Sequence, residues 1–127
     1  MLLGEFKQEI IRINNRVNIE VFGQGLKSQR VEILNDKILI IAHNTRVKIL
    51  SMVDRTDNFT TKIMDIALIM EFKERFIAAL EESLGIKALA HLKDYDPKTE
   101  ISVSVTILEK PVEELLPNIT PKNISKS

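Results

Sequence analysis

Gln29-Arg30-Val31-Glu32-Ile33-Leu34-Asn35-Asp36-Lys37-Ile38-Leu39-Ile40-Ile41-Ala42-His43 is the stretch that decides the fold class. Val31 and Ile33 alternate with Arg30 and Glu32, the period of two expected of a half-buried strand. Asn35-Asp36 tolerates the backbone of a tight turn. Ile38 to Ala42 is apolar at every position, which predicts a strand that is central or covered on both faces. The stretch therefore reads as a β-hairpin.

A second hairpin is predicted further along. Ile86, Ala88, Ala90 and Leu92 recur at a spacing of two, as do Ile101, Val103, Val105 and Ile107. Asp96-Pro97 supplies the turn between them. Each hairpin follows a helical pattern. Leu3, Phe6, Ile10, Ile13 and Val17 recur at three and four, a stripe that should fade near Glu20 before Phe22-Gly23-Gln24-Gly25. Thr60 to Leu84 is the longer helix, with Thr60 or Thr61 as its cap and Gly85 at the left-handed stop. It carries two apolar stripes, one of Ile63, Ile66, Met70, Ile77, Leu80 and Leu84, the other of Ile69, Phe72, Phe76 and Ala79. Between the first hairpin and this helix, residues 44–58 read as a loop followed by a helical turn.

The expectation is an α+β fold of order α-β-β-α-β-β, a four-stranded antiparallel sheet with two helices packed on one face. One domain covers 1–108. Pro111, Pro117 and Pro121, among Asn, Ser and Lys, predict a largely flexible tail over 109–127.

Composition excludes several classes of function. The chain has 127 residues, 44% hydrophobic and 28% charged, as a folded domain should. Lys plus Arg and Asp plus Glu are 18 each, with no Trp and one Tyr, which argues against nucleic-acid binding. The absence of cysteine removes disulfides, thiolate metal sites and thiol nucleophiles. No serine stands in a nucleophile elbow. His91-x-x-Asp94-x-Asp96 is the one spacing loosely suggestive of a metal, though it reads better as a strand-edge histidine beside a turn. The expectation is a non-enzymatic protein without cofactor or metal. Met1-Leu2-Leu3 runs at once into Gly4, Glu5 and Lys7, without the pattern of an export signal. Apolar runs too short to cross a bilayer predict no membrane insertion, and the cytoplasm is the expected location.

Two sets of residues are candidates for function. Gly23 and Gly25, with Lys27 and Arg30 nearby, could present backbone N–H groups and positive charge to an anion, or could simply form a helix-to-strand turn. Leu3, Phe6, Ile10, Ile13 and Val17, with Phe72 and Phe76, could pack on the chain's own sheet or meet another subunit. Two apolar helices and a doubly apolar strand exceed what a small monomer covers easily. A homo-oligomer is therefore expected, a dimer first.

Phe22-Gly23-Gln24-Gly25 followed by Val31-Glu32-Ile33-Leu34-Asn35-Asp36-Lys37-Ile38-Leu39-Ile40 resembles the MpsC-like family, whose members carry a glycine-x-glycine-proline loop before such a hairpin. Helix, Gly85-Ile86-Lys87, strand, turn and a return strand ending Val105-Thr106-Ile107-Leu108 are similar in order and length. Leu26 stands where the family has proline, and His91 is one position away from the family's histidine. The resemblance implies an accessory part in a bacterial membrane-potential-generating or bicarbonate-uptake system, with a membrane transporter as partner.

Overall fold

The computed structural model describes residues 1–120. Helix α1 (Leu3–Phe22) precedes the hairpin of β1 (Ser28–Leu34) and β2 (Lys37–His43), and a short α2 (Lys48–Asp54) leads into the long α3 (Asn58–Leu84). The second hairpin, β3 (Ala88–Asp96) and β4 (Ile101–Leu108), is followed by a single turn α4 (Val112–Leu115) and a 3-10 turn, Leu116–Asn118.

Helix ends follow local chemistry. Gly23 and Gly85, at φ 77° and 68°, end α1 and α3, their N–H groups bonding Ile19 O and Glu81 O at 2.8 and 2.9 Å. The cap of α3 is Asp57, whose carboxylate accepts from Thr60 N–H at 3.1 Å. Thr60 and Thr61 instead lie inside the first turn. A carboxylate both caps and complements the positive end of the helix dipole.

The four strands form one antiparallel sheet in the order β1-β2-β4-β3. The hairpins join through β2 and β4, which places the doubly apolar β2 in the interior, as its composition predicts. α1 lies against β1, α3 against β3, and the two helices touch each other. Phe6, Ile10, Ile13 and Val17 of α1 and Phe72, Phe76, Leu80 and Leu84 of α3 share one core with Val31, Ile38 and Ile40 of the sheet.

This core corrects two expectations. Phe6, Ile10, Ile13, Val17, Phe72 and Phe76 are all buried within a single chain and so are not available to another subunit; Leu3 alone of that set is exposed. The stripe spacing is the same for a helix on its own sheet and for one on a partner, and here the sheet takes it. The folded unit also reaches further along the chain than predicted. Val112 and Ile119 are buried in the core, and Val112 N–H bonds Asn35 O at 2.9 Å, so the folded unit extends past 108. Two well-placed apolar side chains anchor a segment whose prolines only break regular structure. Residues 121–127 of the predicted tail lie outside the described residues. Ile119→Ala should lower the unfolding free energy by about 2 kcal/mol through lost burial and a cavity, read from the urea midpoint. An unchanged midpoint would mean that this segment is not part of the cooperative fold.

Candidate interaction surface

Alternation along four registered strands sorts the sheet into two faces of opposite character. Toward the helices point Val31, Ile38, Ile40 and Ala42 from the first hairpin, but Ser102, Ser104, Thr106 and His91 from the second, all buried. Ile101, Val103, Val105 and Ile107 of β4 point the other way, and only Leu108, at its end, joins the core. The open face is a grid of four cross-strand rows: Ser28-His43-Ile101-Asp96, Arg30-Ile41-Val103-Asp94, Glu32-Leu39-Val105-Leu92 and Leu34-Lys37-Ile107-Ala90. Seven apolar side chains from Leu39, Ile41, Leu92, Ile101, Val103, Val105 and Ile107 thus adjoin one another, with Leu92 58% and Val103 40% exposed. Charge sits only at the rims. Arg30 pairs with Glu32 at 3.3 Å on the β1 side, while Asp94, on the β3 side, makes no ion pair among the described residues.

A β-bulge decides the phase of β3. Ala88 pairs with Leu108 and Ala90 with Ile107, so Leu89 is an extra residue. Ile86 and Ala88 consequently turn toward the core while Ala90 and Leu92 turn outward, although sequence spacing had put all four on one face.

A second apolar surface lies on the first half of α3. Phe59, Ile63, Ile66 and Met70 recur at four, three and four and are 74%, 53%, 60% and 62% exposed. Ile49 and Met52 of α2 are also exposed. Only from Phe72 onward does the helix turn its apolar side chains into the core.

Two polar clusters hold these surfaces in place. The buried Arg46 guanidinium donates to both oxygens of Asp54 at 2.9 Å and to Asp65 Oδ1 at 2.7 Å. Its backbone N–H donates to Glu100 Oε2 at 2.6 Å, and it lies 5.8 Å from the Tyr95 ring. One residue, through its side chain and its backbone N–H, thereby ties α2, α3 and the β3–β4 turn together. Burial pulls the Arg46 pKa down, and the hydrogen bonds it donates to Asp54 and Asp65 more than reverse that. Beneath α3, His91 stacks on Phe76 at 4.6 Å, its Nδ1 lies 2.8 Å from Thr106 Oγ1, and Lys93 Nζ sits 3.6 Å over the Phe72 ring. Burial, with the charges of Lys93 and Lys73, lowers the His91 pKa to about 3; burial lowers that of Lys93 to about 8. A cation over an aromatic face partly replaces the water that Lys93 loses.

The glycine loop is already committed. Gly23 N–H bonds Ile19 O, Leu26 N–H donates to Asn15 Oδ1 at 2.8 Å, and Lys27 N–H donates to His43 O at 2.9 Å. Gly25 packs so closely on Asn15 that an added Cβ would lie 3.1 Å from its Oδ1. Glycine serves turn geometry and close approach here, and Arg30 lies apart on the open sheet face. The loop therefore does not assemble the anion cradle of Gly23, Gly25, Lys27 and Arg30. His91 faces the helices while Asp94 and Asp96 face the open side, which separates that spacing too. No group of three or more metal-binding side chains occurs among the described residues, and none of their helices is long and apolar enough to cross a membrane.

No family model, curated protein or solved structure matches this chain. The surfaces must speak for themselves. Sequence reading missed Arg46, Asp54 and Asp65 because each is an ordinary charged residue until the fold brings them together. The strict Ser/Thr alternation with Val/Ile in β4 announced one polar and one apolar face, without saying which one the helices would cover.

Proposed function

We propose that this chain is a non-enzymatic protein-docking module, working as a homo-oligomer in the cytoplasm. The observation that carries this reading is contiguous exposed apolar surface in two places, the open sheet face around Val103 and the α3 stripe around Ile66. Soluble monomers rarely leave apolar patches of that extent to water. An accessory link to a bacterial membrane-potential or bicarbonate system, and to a membrane transporter, rests on the MpsC-like resemblance. The rival reading, an anion sensor at the glycine loop, is disfavoured by the internal bonds of that loop.

A photo-crosslinking amino acid at Val103 or Ile66, irradiated in the native host, should yield protein adducts. The same probe at exposed, polar Glu74 should yield few. Equal yields at all three positions, or none at the two apolar ones, would sink the docking reading.

A further inference from the structure

Resting on the docking reading, we propose that the open sheet face is covered by a second copy of this chain, face to face, about a two-fold axis running parallel to the strands. Strand order β1-β2-β4-β3 then lays β1 over β3 of the second copy and β2 over its β4, while rows keep their level. Row by row, Ile41 meets Val103 and Leu39 meets Val105, so the apolar centre closes on itself. Arg30 and Asp94 stand at opposite ends of one row, and the axis brings each against the other across the interface, twice. Asp94, which has no ion pair among the described residues, thereby gains one. The other in-plane two-fold, perpendicular to the strands, would set Lys37 against His43 and leave Asp94 over Leu92 without a counter-charge. The perpendicular axis would also set Arg30 on Glu32, and the first leaves Glu32 over Leu92; the first alone gives Asp94 a cation, which selects it.

Size agrees with charge. Four strands about 4.8 Å apart and seven residues long at about 3.4 Å each give a projected face of roughly 450 Å². Side-chain relief raises the accessible area toward the roughly 800 Å² per partner of a standard interface. Two twisted sheets pack well in this way, about 10 Å apart.

Sedimentation equilibrium of the purified chain tests this. Expected is a species of twice 14.5 kDa, with Val103→Lys converting it to monomer at unchanged circular dichroism. Arg30→Asp and Asp94→Arg should each raise the dimer Kd by tenfold or more, and the double exchange should restore it to within about threefold. Both residues are exposed in the isolated chain, so these variants should fold even if Val103→Lys does not. A monomer at millimolar concentration overturns the proposal, as does a dimer that both single charge reversals leave unchanged. So does a dimer broken by Ile66→Asp and insensitive to Val103→Lys, which would move self-association to α3. In any of these cases, Val103 adducts to a different protein would leave the docking reading standing; absence of adducts at both apolar positions would remove that reading as well.

Discussion

Arg46→Met is expected to lower the unfolding free energy by about 3 kcal/mol, the largest effect of any single polar substitution in this fold. The guanidinium is only 8% exposed and holds two carboxylates on different helices. Removing it leaves Asp54 and Asp65 facing each other without their cation, and it frees α2 from α3. Methionine fills most of the volume, so the loss measures charge and hydrogen bonding rather than a cavity. Asp54→Asn should cost less, because Arg46 keeps Asp65. The network also has a pH signature. The hydrogen bond from Arg46, and then that from Thr61, holds the Asp54 carboxyl below its ordinary value. A carboxylate with a depressed folded pKa stabilises the fold above its unfolded value of 3.8 and loses that contribution as pH falls through the folded pKa. In Arg46→Met most of that acid-side loss should be absent. Urea titrations at pH 7 and 3 decide the matter, and a loss under 1 kcal/mol at pH 7 would mean that the network has little energetic weight.

His91 should dominate stability at mildly acidic pH. Its folded pKa of about 3 lies below the ordinary 6.5, so the folded state prefers the neutral ring. Protonation therefore favours unfolding. The stabilisation is complete above pH 6.5 and is withdrawn by about 1.4 kcal/mol per pH unit between 6.5 and 3, or roughly 3 kcal/mol by pH 4.5. Lys93 and Lys73 sharpen the effect, since a second and third positive charge stand near the ring. His91→Phe keeps an aromatic ring against Phe76 and cannot titrate. It should be less stable at pH 7.5 by about 1 kcal/mol, for the lost contact with Thr106 Oγ1, yet flatter with pH. The two unfolding profiles should converge or cross on acidification. Parallel profiles from pH 7.5 to 4.5 would show that His91 does not bear the acid sensitivity.

Both effects arise where polar residues lie beneath the helices, and that placement explains the character of the outer surface. Ser102, Ser104 and Thr106 are small, and they line the side of β4 that faces the helix layer. Their alternation partners Val103, Val105 and Ile107 are then obliged to face outward, because successive side chains in a strand point to opposite faces. An apolar open face is thus the geometrical counterpart of a polar floor under α3.

Local rules carried the reading a long way. Period-two and period-3.6 patterns placed both hairpins and both long helices, and Gly23 and Gly85 stopped the helices where a left-handed residue is needed. The interior position of β2 agrees with the apolar run Ile38 to Ala42, although Leu39 and Ile41 of that run face the open side of the sheet. These features depend on neighbours within a few positions, so the chain itself determined them. The tertiary structure decided everything that depends on orientation: which apolar stripe is core, which sheet face the helices cover, and where distant charges meet. Periodicity defines a face but carries no sign, and one extra residue at Leu89 reverses it for part of a strand. Arg46 and Asp65 are 19 positions apart, and Arg46 and Glu100 are 54 apart. Only packing brings them within hydrogen-bonding distance, and only packing leaves Val103 and Ile66 in water.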